Sequence, residues 1–141
     1  MVVSRLSEES VQFLIAGGWA VRFHGFTGRH VRDLDLFVDF SSNNWPRLRN
    51  VLQNFGIIVK PFEELSRGLK PFEDKQLDPV HLLTGLRGVS FSEAWHESIE
   101  TTFGDKALPV RVLSKAHLIL SKERSKRATD VADVRRLLDV R

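Results

Sequence analysis

The segment from Phe13 to Phe40 constrains the fold more than any other part of the chain. Phe13-Leu14-Ile15-Ala16 is a short apolar run that ends at Gly17-Gly18, as a buried strand closed by a tight turn would. Trp19 to His24 reads as a helix with Gly25 as its stop, and residues 26–32 form a polar, basic loop. Leu34-Asp35-Leu36-Phe37-Val38-Asp39-Phe40 then alternates with period two, the pattern of a half-buried strand. Asp33 and Asp35 stand two apart at its head. Both carboxylates therefore leave one face, while Leu34, Leu36, Val38 and Phe40 leave the other.

The remaining elements alternate in the same way. Ser7-Glu8-Glu9-Ser10 is expected to begin a short helix or turn. Ser41, Ser42 and Asn43 offer caps for an amphipathic helix from Trp45 to Asn54, with Pro46 in its first turn. Gly56 ends it and Ile57-Ile58-Val59 reads as a strand. Residues 60–77 look irregular, with Pro61, Gly68 and Pro71. Val80 to Leu83 is a short strand, and Ser90 opens a helix from Phe91 to Ser98. Val110 to Leu113 is a strand, Ser114 caps a helix running to about Ser125, and Asp130 to Leu138 is the last helix. Strands and helices in alternation predict an α/β or α+β fold.

The chain has 141 residues, no internal repeat and no linker-like tract, so one domain over 1–141 is expected. It contains no cysteine, which excludes disulfides and thiolate metal sites. No apolar run is long enough to cross a bilayer, and the N-terminus lacks the layout of a signal peptide, which favours the cytoplasm. The formal net charge of +3 suits a polyanionic partner such as a nucleoside triphosphate or RNA without demanding one. The densest basic run, Lys122 to Arg127, reads first as a solvated helix end.

Two ionised carboxylates at Asp33 and Asp35 repel each other, and a divalent cation removes that repulsion. Mg2+ (or Mn2+) bridging carboxylates to phosphate oxygens fits this donor set. The competing explanation is a polar strand face whose aspartates pair with Arg29 or Arg32. Gly17 and Gly18 lie between a strand and a helix, where glycines let a phosphate approach the backbone and the helix start offers free N–H groups. The competing explanation there is a tight turn with no ligand. Arg29 can reach a phosphate from the loop or stand exposed, and Lys122 can meet a triphosphate or be solvated. Arg127, Asp130 and Asp133 are suited to ion pairs between the last two helices. Trp19, Trp45 and Trp95 sit on apolar helix faces and read as core. His24, His30, His96 and His117 show no metal-ligand spacing.

The stretch LIAGGWAVRFHGFTGRHVRDLDLFVD resembles the signature of minimal nucleotidyltransferases of the DNA polymerase beta superfamily, and more narrowly of bacterial nucleotidyltransferase-like and AbiEii-type toxin-like proteins. VHLLTGLRGVSFSEAW resembles that family's third-carboxylate strand and following helix. LPVRVLSKAHLILSKERSKRATDVADVRRLL resembles its closing strand and helices, so the likeness spans roughly residues 11–139. The resemblance implies a nucleotidyltransferase fold, a small mixed sheet with helices packed on one face. It implies metal on Asp33 and Asp35, and NTP contacts from Gly17, Gly18, Arg29 and Lys122. Two departures stand out. Val31 occupies the family's usual threonine position, and His81 stands where a carboxylate usually helps bind metal and draws the acceptor's proton. Asp78 is an odd number of residues from His81, so it replaces it only through a bulge at Pro79. An imidazole is a poor Mg2+ ligand but a competent general base.

The expectation is thus a catalytic site of Asp33, Asp35 and His81, transferring a nucleoside monophosphate from an NTP to a hydroxyl acceptor, with RNA or protein among the acceptors considered. The alternative is a catalytically degenerate module that binds nucleotide or a partner, as one component of a toxin–antitoxin or defence pair. A His81 or Asp78 side chain within metal-ligand reach of the aspartates favours the first, and a salt bridge filling the site favours the second.

Overall fold

The computed structural model describes residues 2–25, 34–55, 74–77, 80–86, 88–123 and 128–139. In chain order these form α1 (Val2–Glu8), β1 (Phe13–Ala16), α2 (Gly17–Phe23), β2 (Leu34–Val38), α3 (Trp45–Asn54), β3 (Asp74–Leu77) and β4 (Val80–Leu83). After these come α4 (Phe91–His96), β5 (Ile99–Phe103), β6 (Leu108–Val112), α5 (Lys115–Glu123) and α6 (Ala128–Asp139). The strands make one mixed sheet in the order β3-β4-β2-β1-β6-β5. β1 runs antiparallel to β2 and parallel to β6, β2 is parallel to β4, and the edge strands β3 and β5 each pair antiparallel with their neighbour.

β1 lies near the sheet centre and all four of its residues are buried, which explains its unbroken apolar run. β2 shows the expected alternation, with Leu34, Leu36 and Val38 buried and Asp35 partly exposed. Phe37, on the Asp35 face by the period of two, meets Phe91 of α4 edge-on at a centroid distance of 5.0 Å. Trp45 is buried and packs edge-on against Phe40, while Trp19 and Trp95 lie against the core partly covered.

Ser7 to Ser10 closes α1 and does not begin a helix. The helix starts earlier, because Val2, Val3 and Leu6 bury one stripe. Ser10 takes φ +57, its N–H bonds Ser7 O and the N–H of Val11 bonds Leu6 O at 2.9 Å. That is a left-handed cap with paired carbonyls, sealed by burial of Leu6 and Val11.

The predicted caps of α3 also differ. Asn44 is the cap residue, yet its side chain makes no capping bond. It is buried instead and acts as a clamp. Its Oδ1 accepts from Gln12 N–H at 2.7 Å, and its Nδ2 donates to Asp39 O at 2.7 Å and Gln12 O at 3.3 Å. The start of β1 and the end of β2 are thereby tied to α3.

Two strands arise where none was expected. Asp74–Leu77, inside the supposedly irregular stretch, is β3, held by pairing with β4. Ile99–Phe103 is β5, joined to β6 by a turn with Gly104 at φ +78 and Ala107 at φ +51. Gly56 and the strand expected over Ile57 to Val59 lie outside the described residues.

Candidate functional site

The turn between β1 and α2 and the head of β2 meet at one point. Ala16 and Asp35 are partners across the antiparallel ladder, which brings the Asp35 side chain over the next residue, Gly17. Gly17 has φ +59, and a Cβ added there would come within 2.8 Å of Asp35 Cγ and 2.9 Å of Asp35 Cβ, overlapping the carboxylate as well. Only glycine satisfies both demands at once. Its immediate role is therefore to seat the Asp35 carboxylate against the chain. Gly18 follows as the second residue of α2, whose cap position is Ala16 with no side-chain capping bond.

On the other side of β2, the parallel ladder with β4 makes Asp35 and His81 direct partners. β4 alternates buried and partly exposed, so Val80 and Leu82 enter the core while His81 shares the face of Asp35. His81 Nδ1 lies 3.5 Å from Asp35 Oδ1, with both side chains between a quarter and a third exposed (27% and 29%). A carboxylate and an imidazole thus face one another, open to solvent, beside a glycine turn.

Asp33, Arg29 and Asp78 lie outside the described residues, as do Arg32, His30, Val31 and Arg127. Among the described residues no group of three or more His, Asp or Glu side chains is gathered closely enough to hold a metal. Asp35 and His81 supply two donors, a hard oxygen and a borderline nitrogen, accessible and close together. That chemistry fits part of the ligand set of a divalent cation.

Lys122 is not the solvated end of a helix. It is buried, and its Nζ donates to Asp133 Oδ2 at 2.9 Å, with side-chain exposures of 9% and 1%. This pair joins α5 to α6, which is the tie between the last two helices expected of Asp133. Ser114 caps α5 as expected, its Oγ accepting from His117 N–H at 3.1 Å. His24 Nε2–H donates to Leu113 O at 2.8 Å, pinning the end of α2 to the end of β6. No helix among the described residues is long and apolar enough to cross a membrane.

Comparison with known proteins shows what the sequence and the fold are similar to. A sequence model of the aminoglycoside-2''-adenylyltransferases matches residues 1–70, the part that carries β1, Gly17, α2 and β2. The crystal structure of ANT(2'')-Ia in complex with adenylyl-2''-tobramycin is similar with a TM-score of 0.61 at 16% identity, covering 98% of this chain and 84% of that one. The lincosamide antibiotic adenylyltransferase LnuA, lincomycin-bound, is similar with a TM-score of 0.57 at 18% identity, covering 99% and 94%. An antigenic nucleotidyltransferase-like protein from Paracoccidioides brasiliensis gives 0.50 at 16% identity, covering 98% and 73%. No curated protein sequence matches the chain. At these identities the structural likeness is one of fold.

Proposed function

Residues 1–70 match the aminoglycoside-2''-adenylyltransferase model and the fold is that of nucleotidyltransferases; from this we propose that the chain is a nucleotidyltransferase of the DNA polymerase beta-like superfamily, transferring a nucleoside monophosphate from an NTP to a hydroxyl group of a small, antibiotic-like acceptor. The observation that carries this reading is the carboxylate of Asp35, set over Gly17 on one side and facing His81 on the other. In the transfer the acceptor oxygen attacks the α-phosphorus, the bond to the bridging oxygen of the β-phosphate breaks, and pyrophosphate leaves with that electron pair. The acceptor proton passes to solvent or a nearby base.

The residues have separable tasks. Asp33 and Asp35 would hold a divalent cation, Mg2+ or Mn2+, which when bound neutralises phosphate charge. The turn at Gly17 and Gly18 would orient the phosphates against backbone N–H groups. Arg29, from the loop before β2, would supply a charge-assisted contact to a phosphate. Lys122, held in its ion pair with Asp133, would act on the phosphates only indirectly, through the placing of α5 against α6. His81 would complete the site from β4. Catalysis would rest on in-line positioning.

The acceptor class is suggested by the relatives, one bearing an adenylylated tobramycin and another lincomycin. Those relatives do not favour the degenerate partner-binding module. Incubation with each α-labelled NTP, Mg2+ or Mn2+, and tobramycin or lincomycin tests the proposal, with total RNA and protein extract as competing acceptors. Label on a small molecule together with released pyrophosphate supports it. Label only on RNA or protein overturns the acceptor class, and no pyrophosphate with any acceptor overturns the enzyme reading.

A further inference from the structure

Asp35 and His81 come from neighbouring parallel strands whose register sets them side by side. Neither is free to wander. Asp35 is packed over Gly17, and His81 is flanked in sequence by the buried Val80 and Leu82. The 3.5 Å between His81 Nδ1 and Asp35 Oδ1 is long for an N–H···O hydrogen bond, which centres near ~2.9 Å. It is close to the spacing of two donors on one ion. Atoms about 2.1 Å from a divalent cation and roughly 90–110° apart lie about 3.0–3.4 Å from each other. The donors are also unlike in kind. A carboxylate oxygen serves Mg2+ and Mn2+ alike, whereas an imidazole nitrogen favours first-row transition ions and is a weak partner for Mg2+.

Resting on the metal-dependent reading above, we infer that Nδ1 of His81 is a direct ligand of the cation held by Asp35, and that this nitrogen–oxygen pair selects Mn2+ over Mg2+. An imidazole bound through Nδ1 carries its proton on Nε2. His81 then holds the ion and does not serve as the general base. The geometry that would let it draw a proton from an acceptor is given up to fixing the metal.

The test uses the full chain titrated with Mn2+, with and without a non-hydrolysable ATP analogue. Bound ion is read from the loss of the free Mn2+ electron paramagnetic resonance signal. Pulsed resonance then reports whether a 14N nucleus couples directly to the bound ion. The expected result is an imidazole-type 14N coupling in the wild type that is lost in His81→Ala and His81→Asp. Mn2+ affinity should fall at least roughly tenfold in His81→Ala, and Mg2+ should displace Mn2+ more readily from His81→Asp than from the wild type. Mn2+ bound without that coupling, or with equal affinity in wild type and His81→Ala, overturns the His81 assignment and leaves the transfer reading standing. A chain that binds neither Mn2+ nor the nucleotide analogue overturns the metal-dependent reading and this inference with it.

Discussion

Replacing Gly17 with alanine attacks the point where the turn and the carboxylate meet. The new methyl group meets two independent costs. The residue holds φ +59, and an L side chain in that region costs about 1–2 kcal/mol. The Cβ would also stand 2.8 Å from Asp35 Cγ and 2.9 Å from Asp35 Cβ, closer than such atoms can sit. A short side chain fixed on a central strand has little room to yield, so Asp35 must leave its rotamer, at about 0.5–1.5 kcal/mol. The sum is about 1.5–3.5 kcal/mol, a fall in Tm of roughly 5–14 °C for a chain of this size. Gly104→Ala separates the two costs, because Gly104 has φ +78 with nothing within 4 Å of an added Cβ. It should lose only about 1–2 kcal/mol and keep metal-dependent nucleotide binding, whereas Gly17→Ala should lose both. Urea unfolding of the two variants beside the wild type, with calorimetric titration of an ATP analogue, measures this. Equal destabilisation of the two variants, or full nucleotide binding by Gly17→Ala, would refute the packing of Asp35 over the turn.

Two further perturbations follow from buried polar contacts. Lys122→Met leaves the 1% exposed carboxylate of Asp133 without the ammonium at 2.9 Å and should destabilise on the order of 3 kcal/mol. Lys122→Met/Asp133→Leu should recover much of that loss in a denaturation experiment; a Lys122→Met protein of wild-type stability that fails to bind nucleotide would instead put the ammonium at the phosphates. Asn44→Ala removes the partners of Gln12 N–H and Asp39 O and should cost about 1–3 kcal/mol, with hydrogen exchange rising first at Gln12; unchanged exchange there would show that the clamp is not a support of β1.

The unit from β1 to β2 is readable in the sequence because burial imposes its pattern on it. β1 is covered on both faces, so Phe13 to Ala16 are all apolar; β2 is covered along one face by Leu34, Leu36 and Val38 and on the other only at Phe37, which leaves Asp35 partly exposed. Gly17 is readable as a turn but not as the seat of Asp35, since that depends on a cross-strand pairing. The edge strands were missed for related reasons. β3 is Asp-Lys-Gln-Leu, which has little strand propensity and owes its form to β4. β5 is largely exposed, so no burial pattern marks it, although the β-branched Ile99, Thr101 and Thr102 were a usable signal. The burial of Lys122 is not legible in the sequence, where a triphosphate contact and a solvated end both fit it, because nothing local identifies Asp133, eleven residues on, as its partner. Asn44 was passed over for a neighbouring cap, since its use as a clamp needs Gln12 from across the sheet. His81 is legible as a polar residue within the apolar strand Val80–Leu83, and its direct pairing with Asp35 follows the register of β4.

The most direct test of the central claim is calorimetric titration of a non-hydrolysable ATP analogue into the wild type and Asp35→Asn, each with Mn2+, with Mg2+ and in EDTA. Asp35 is partly exposed, so Asp35→Asn should unfold close to the wild-type temperature while losing metal-dependent binding. The wild type should bind only with a divalent ion, and less tightly as salt is raised, because the contact is electrostatic and the ion bridges carboxylate to phosphate. Binding of equal strength in EDTA, or in Asp35→Asn, would contradict the assignment of this site.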